Sequence, residues 1–458
     1  MTPNNRENFA GKKITIMGLG LLGRGIGDAI FFAEAGAEVL VTDLKTEKDL
    51  ESSIKQLEGY KNVSFILGEH RLKDFEDRDL ILKAAGVPLD SPFIEHARKK
   101  GIPIEMDASL FSRLAPKEVM IIGVTGTRGK TTTTSLIYQL IQKYFMGGPR
   151  NVFLGGNIRG MATLPLINKV KEGDVVVMEL DSWQLQGFGE SKISPHISVF
   201  TNFMNDHLNY YKGDLDKYLD DKAKIFLNQK KDDHLVVLPT TLKFLTEHYP
   251  DNISGQVKIA SIDDISDFNL IIPGGHNKEN VTLAVSVAKI LGIPLDVIKE
   301  VVESFKGVDG RLQFVTVHQG VKIFNDTTAT TPEATLAGLR ALDQGKKNIV
   351  LIMGGADKVL DMAELEKALP NFCQHVVLLD GTGTAKLKLV EQENFKLHRV
   401  KTLKEAFEKA LELVRSGDTL LFSPAFASFG LFKNEYDRGD QFLKLVENLV
   451  MDYPSVTF

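Results

Sequence analysis

The sequence predicts an α/β protein of three domains, each built on a parallel sheet, and three observations carry that prediction. Short apolar runs alternate with helical patterns in three successive sets, which is how βαβ units read in sequence. Two glycine-rich loops, Gly18–Gly23 and Gly123–Thr131, each stand between a strand and a helix. The length of 458 residues suits about three domains at roughly 150 residues apiece.

In the first set, from 13 to about 110, the strands are Ile14–Met17, Val39–Thr42 and Leu80–Lys83. The second opens with Val119–Val124 and continues through Val175–Leu180, Ile197–Asn202 and Leu235–Leu238, closing with helices near 277–291 and 295–305. The third begins near Val315–Phe324 and runs through Ile349–Met353, Val376–Leu379 and Thr419–Phe422. Pro116 and the loop Gly307-Val308-Asp309-Gly310 mark the joints, giving domains 1–115, 116–307 and 308–458. No repeat of about 20 to 50 residues and no low-complexity tract is present, which excludes a solenoid.

Hydrophobic residues make up 43% and charged residues 25%, the balance of a folded chain rather than a disordered or fibrous one. With 55 Lys+Arg against 60 Asp+Glu the net charge is −5, so no general basic field exists for nucleic acid or an anionic membrane. An anionic substrate would be held by a few local Arg or Lys side chains or by helix N-termini. The one cysteine, Cys373, can form no internal disulfide, which fits a reducing compartment. The polar start MTPNNRENFAGKK lacks the apolar core of a signal peptide. The apolar stretch Ile14–Val41 is broken by Arg24, Asp28, Glu34 and Glu38, so it is no membrane span. A soluble, cytosolic protein is expected.

Gly18-Leu-Gly20-Leu-Leu-Gly23 fits G-x-G-x-x-G, after the strand KITIM and before a helix from Ile26 to Ala35, with Asp43 ending the next strand. Such glycines permit a tight turn and let helix N–H groups approach a phosphate. These residues alone leave three readings open: a nicotinamide dinucleotide site, another nucleotide held by the same device, and a plain turn packing helix on sheet.

Gly123-Val-Thr-Gly126-Thr-Arg-Gly129-Lys130-Thr131 is more specific. A strand leads in, and a helix leads out with Leu136, Ile137, Leu140, Ile141 and Tyr144 on one face. The loop's N–H groups would cradle phosphates, Lys130 would reach the β and γ phosphates, and the Thr131 hydroxyl would ligate Mg²⁺. The usual template wants its first glycine where Val124 stands, so a T-G-T-x-G-K-T form remains. The two loops suit a Rossmann-like N-terminal domain and a central one of the P-loop ATPase type, and the C-terminal domain is also expected to be Rossmann-like.

Here the chain resembles the Mur ligases, the ATP-dependent amide-forming enzymes of peptidoglycan precursor synthesis. The resemblance covers nearly the whole chain. It continues through Glu179-Leu-Asp-Ser-Trp-Gln184, Thr201-Asn-Phe-Met-Asn-Asp-His207, Gly275-His-Asn277, Gly310-Arg311 and Asn325-Asp326-x-x-Ala-Thr330. Gly354-Gly-Ala-Asp-Lys358 and Ser423-Pro-Ala-x-Ala-Ser428-Phe-x-x-Phe-Lys-Asn434 resemble most the branch that joins D-glutamate to UDP-N-acetylmuramoyl-L-alanine.

The resemblance implies that ATP phosphorylates a substrate carboxylate and that an amino acid's amine then attacks the acyl phosphate. Moving the phosphoryl group needs charge neutralisation and positioning more than acid–base help. Gly126, Thr127, Gly129, Lys130, Thr131 and Thr132 would hold ATP, with two Mg²⁺ ions beside Lys130. Glu179 ends the apolar run Val175-Val-Val-Met-Glu, so its carboxylate should emerge at the carboxyl edge of the central sheet, where α/β sheets bind ligands. A solvated strand end is the plain alternative. His207 resembles the family's second metal ligand, although a lone histidine otherwise reads as structural.

Lys222 carries its own physical argument. In the helix around Leu215–Phe226, Leu215, Tyr218, Leu219, Ala223 and Phe226 form a stripe at helical spacing. Asp216, Lys217, Asp220, Asp221 and Lys224 fall on the other face, while Lys222 sits on the stripe. Desolvation there is costly for an ammonium and favours a neutral, nucleophilic amine. In the family the matching lysine is carbamylated and binds Mg²⁺; the alternative is a lysine snorkelling off the edge of the stripe.

Further roles are implied by the resemblance alone. Asn277 and Asn280 would hold adenine, and Arg311 and Asp326 the nucleotide from the third domain. In the first domain, which would bind UDP, Gly20, Leu21, Leu22 and Gly23 would face the diphosphate, Asp43 the uridine, and Gly86 and Asn157 the rest of the UDP-sugar. Thr330, Lys358 and Ser428 would meet the amino acid. Metal ligands would be Thr131, Glu179, His207 and Lys222 as its carbamate. The chain would work as a monomer on small molecules, with neither nucleic acid nor membrane as partner.

Thr328 and Gly310 depart from the family pattern, which has a lysine and a histidine there. Losing a cation removes a charge-assisted bond worth about 1.5–3 kcal/mol, so a weaker grip on D-glutamate is expected. The other readings are a Mur-type ligase with another acceptor such as L-glutamate, a folyl or poly-glutamate ligase, a non-catalytic homologue, and an NAD(P)-dependent oxidoreductase using Gly18–Gly23. The last leaves the second glycine loop unexplained.

Overall fold

A computed structural model of the chain describes residues 8–21, 23–158, 160–206 and 210–452. The chain forms two compact units. The first comprises residues up to Asp267 together with Glu279–Val301, and the second comprises Phe268–Lys278 and the chain from Val302.

The first unit holds two parallel sheets. In one, β1 (Lys13–Met17), β2 (Glu38–Asp43), β3 (Val63–Leu67), β4 (Leu80–Lys83) and β5 (Ile104–Glu105) lie in the order β3-β2-β1-β4-β5. Ile14 and Ile16 of β1 and Val39 and Val41 of β2 are buried, as expected where helices cover a parallel sheet. The helix Arg24–Glu34 crosses from β1 to β2 and buries Phe31 and Phe32, each worth roughly 1.5–3 kcal/mol. The chain leaves β1 toward β2 on one side and later reaches β4 on the other. That switch point opens a crevice beyond the carboxyl end of β1.

In the other sheet, β6 (Met120–Thr125), β7 (Val152–Gly156), β8 (Val175–Glu179), β9 (Ile197–Phe200), β10 (His234–Val237) and β11 (Gln256–Ile259) lie in the order β11-β10-β9-β6-β8-β7. Every residue of β8 is buried. Its unbroken Val-Val-Val-Met run is therefore a central strand covered on both faces. β6 lies at the second switch point, flanked by β8 and β9. The loop after β6 and the end of β8 consequently share one crevice.

The second unit holds β12 (Gln313–His318), β13 (Val321–Asn325), β14 (Ile349–Gly354), β15 (Cys373–Leu379), β16 (Lys396–Val400) and β17 (Thr419–Phe422), in the order β12-β13-β17-β14-β15-β16. Only the β12–β13 pair is antiparallel. Asn325, Gly354 and Phe422 end three adjacent strands, so the segments that follow them gather at one edge.

Three local expectations are corrected. Val315–Phe324 is not one strand but a hairpin, because Gln319 and Gly320 both take positive φ, 48° and 80°, the turn that suits the twist of an antiparallel pair. Tyr144 does not join the buried face of the helix Lys130–Phe145; it is 40% exposed and packs its ring on Phe145. The helix carrying Lys222 runs Leu215–Ala223 and stops before Phe226, and Asp221 is buried rather than on a solvated face.

Candidate active site

The phosphate-loop residues come together around one carbonyl. Lys130 Nζ donates to the carbonyl oxygens of Gly126 (3.0 Å) and Thr127 (3.1 Å), and Lys222 Nζ donates to the same Gly126 oxygen at 2.8 Å. Two amines thus meet on one neutral acceptor, with Asp181, Asp206 and Asp221 acting on Lys222 from further off. Gly126 and Gly129 have φ of +137° and +82°, and a Cβ at either would collide with Thr201 or Asn280 respectively. Glycine is therefore required at both turns. Thr127 spends its hydroxyl on Met204 and Tyr218. Thr131 stands half-buried at the start of the helix, next to the buried Thr132.

Lys222 is 1% exposed, which rules out the snorkelling alternative. Its ammonium also lies 4.7 Å from the Tyr218 ring centre. Burial, and then the charge of Lys130, push its pKa well below that of an ordinary lysine. Asp221 beside it accepts from Gln186 (2.8 Å), Tyr211 (3.0 Å) and Lys224 (2.5 Å), so its burial is satisfied.

Glu179 does lie at the carboxyl edge, 3% exposed, so the solvated alternative fails there too. Asn157 Nδ2 donates to Glu179 Oε1 at 3.3 Å, while Oε2 is buried with no protein partner. A buried carboxylate oxygen left without a protein partner is the kind of oxygen ligand that a hard cation takes. Among the described residues no three His, Cys, Asp or Glu side chains gather as a metal cluster. His207, expected as a ligand, lies outside the described residues, as does Leu22.

The first glycine loop lines a cleft of about 390 Å³ with Gly18, Gly20, Leu21, Asp43, Gly86 and others. Gly23 opens the helix with φ +84° and no side-chain cap. Asp43 is turned inward: one carboxylate oxygen accepts from the Leu19 (2.9 Å) and Gly20 (3.1 Å) N–H groups, the other from Lys45 N–H at 2.9 Å.

In the second unit, Asp326 is buried, accepting from Leu312 N–H (2.9 Å) and the Ser423 hydroxyl (2.8 Å). Burial raises its pKa to about 7, against the Ser423 and Leu312 hydrogen bonds and then the charge of Arg311. Arg311 itself is exposed. Lys358 Nζ donates to Thr330 Oγ1 at 2.9 Å, and Ser428 is buried beside Ala427, which bridges to Ala356. Asn277 donates to the Pro273 carbonyl at 2.7 Å, whereas Asn280, in the first unit, meets Thr133 at 3.4 Å. The two departures from the family pattern touch: Thr328 donates its hydroxyl (2.9 Å) and its N–H (3.0 Å) to the Gly310 carbonyl.

Sequence reasoning missed several charged groups. Arg438 is wholly buried and donates to Thr327 O (2.7 Å), Thr327 Oγ1 (3.2 Å) and Phe426 O (3.1 Å), pinning two of the gathered segments. Arg24, Asp28, Lys83 and His70 line the first cleft. The i, i+4 pair Arg24–Asp28 inside an otherwise apolar helix was the available signal.

Comparison with known proteins agrees with this arrangement. Family models match residues 12–105 (Mur ligase MurD-like, N-terminal domain), 124–249 (Mur ligase middle domain) and 310–426 (Mur ligase, glutamate ligase domain). A UDP-N-acetylmuramoylalanine–D-glutamate ligase of Roseiflexus sp. (strain RS-1) is 35% identical, with 96% of this chain and 99% of that relative covered. One from Borreliella burgdorferi (strain ATCC 35210 / DSM 4680 / CIP 102532 / B31) is 33% identical, covering 95% and 97%. In fold, the chain is similar to the UDP-N-acetylmuramate–alanine ligase of Thermotoga maritima (TM-score 0.58, 21% identity, 96% and 100% covered). It is equally similar to the MurF ligase of the same organism in complex with ADP (TM-score 0.58, 17% identity, 99% and 100% covered). With its three sheets, its phosphate loop and its relatives matching from end to end, the chain belongs to the Mur ligase family.

Proposed function

We propose that the chain is an ATP-dependent, ADP-forming ligase that joins D-glutamate to UDP-N-acetylmuramoyl-L-alanine through an acyl phosphate. The observation that carries this is the meeting of Lys130 and Lys222 at the Gly126 carbonyl, with a spare Glu179 oxygen on the neighbouring strand. Two full-length relatives named for that reaction supply the substrates.

In this reading Gly126, Thr127, Gly129, Thr131 and Thr132 position the ATP phosphates and Lys130 balances the charge of the transferring phosphoryl group. Thr131, Glu179, His207 and Lys222 as a carbamate would hold magnesium, which supplies further charge neutralisation when bound. The lowered proton affinity of Lys222 favours the neutral amine, the form that adds CO₂. Asn277, Asn280, Arg311 and Asp326 contact the nucleotide. Gly20, Leu21, Leu22, Gly23, Asp43, Gly86 and Asn157 contact the UDP-sugar, and Thr330, Lys358 and Ser428 the amino acid. We place the domain boundaries near 115 and 307, and the enzyme as a monomer in the cytoplasm. The single cysteine fits a reducing compartment; among the described residues no helix is long and apolar enough to cross a membrane.

An isotope experiment tests the chemistry. UDP-N-acetylmuramoyl-L-alanine labelled with ¹⁸O in the alanine carboxylate should pass one ¹⁸O to the phosphate released. Phosphate free of label would overturn the acyl-phosphate route.

A further inference from the structure

We infer that Arg24 is the side chain that binds the diphosphate of the nucleotide-linked substrate in the N-terminal cleft. This rests on the ligase reading above and adds to it a residue that the glycine motif does not contain.

Several donors of the cleft are already used within the protein. A glycine loop ordinarily turns its N–H groups to a phosphate. Here the Leu19 and Gly20 N–H groups bond Asp43, and so does that of Lys45. The loop has thus lost donors and gained a carboxylate at its centre, which repels an anion. Lys83 does not compensate. It is buried and its ammonium donates to Val87 O at 2.7 Å and to Ala84 O and Ala85 O at 3.3 and 3.4 Å, all within its own loop. Lys45 is exposed at the rim.

Arg24 is different. It is the first residue of the helix Arg24–Glu34, half-buried in the cleft wall, and has no hydrogen bond or ion pair among the described residues. One turn further on is Asp28, 5% exposed, and beside it Asp107, 9% exposed. Asp28 Oδ1 and Asp107 Oδ2 are buried without a partner. Burial pushes both carboxyls upward, while the Arg24 charge pulls them down. Arg24 thus stands close enough to both acids to feel their charge, without bonding either. A planar fork with free donors matches adjacent phosphate oxygens in a way that a ribose or a base does not.

The test is titration of the full chain with UDP and with uridine, for wild type, Arg24→Gln and Arg24→Lys. We expect UDP affinity to fall about 10- to 100-fold in Arg24→Gln, less in Arg24→Lys, and uridine affinity and melting temperature to hold in both. Unchanged UDP affinity in Arg24→Gln, or equal loss of UDP and uridine, would overturn the assignment while leaving the cleft as a nucleotide site. Should Arg24→Gln unfold, Arg24→Lys decides on the same criterion. A wild-type chain that binds no UDP would instead sink the reading of the cleft itself, and this inference with it.

Discussion

Lys222 shows most plainly how one residue's surroundings set its chemistry. An amine that is almost fully buried, faces Lys130 and has a lowered pKa costs the fold stability when charged. Lys222→Met is isosteric enough to keep the packing and removes that cost, so the variant should melt at or above the wild-type temperature while losing turnover. Retained phosphate release would contradict the carbamate role. Lys130→Ala removes charge from the transferring group, and phosphate release should fall on the order of 10³-fold; near wild-type release would sink the phosphate-loop assignment. Asp326 gives a pH signature. Its folded pKa of about 7 lies above the roughly 3.9 of an unfolded aspartate, so the folded state holds the proton more tightly. That contribution is present below pH ~4 and is lost as pH rises through ~7. Unfolding of wild type and Asp326→Asn across this window should show a smaller loss of stability with pH in the variant, and parallel curves would refute the burial argument.

Among the elements, the phosphate loop and its helix depend on backbone that only glycine tolerates. Gly129→Ala must take φ +82° with a Cβ running into Asn280. The left-handed conformation alone costs about 1–2 kcal/mol, so melting temperature and ATP affinity should both drop, and a variant matching wild type in both would count against this geometry. Elements of this kind were legible in the sequence. β8 reads as a buried strand because both its faces are apolar, and Lys222 stood out because it interrupts an apolar stripe. The hairpin β12–β13 was not legible, because its alternating run carries across Gln319 and Gly320 and only positive φ reveals the turn. Asp221 and Arg438 were missed for a common reason. Sequence pattern assigns charge to solvent, whereas Asp221 accepts three hydrogen bonds and Arg438 donates three in the interior. Apart from Lys224, three residues from Asp221, these partners lie 10 to 111 residues away, where no local spacing announces them.

At the scale of the whole molecule, each of the three sheets presents its chemistry at the carboxyl edge of central strands, in two units that carry different halves of the proposed reaction. Acceptor choice is where this chain differs from its family pattern. Thr328 and Gly310 form a neutral hydrogen-bonded contact, and in the proposed reading Lys358, bonded to Thr330, is the cation for a dicarboxylic amino acid. D-glutamate should therefore be joined, but with a high KM. The most direct measurement is phosphate release with ATP, UDP-N-acetylmuramoyl-L-alanine and a panel of amino acids at equal concentration. The ligase reading predicts release that requires all three substrates and is fastest with D-glutamate, ahead of L-glutamate and neutral amino acids. Faster joining of L-glutamate or of a neutral amino acid would contradict the acceptor, and no amino-acid-dependent release at all would contradict the ligase.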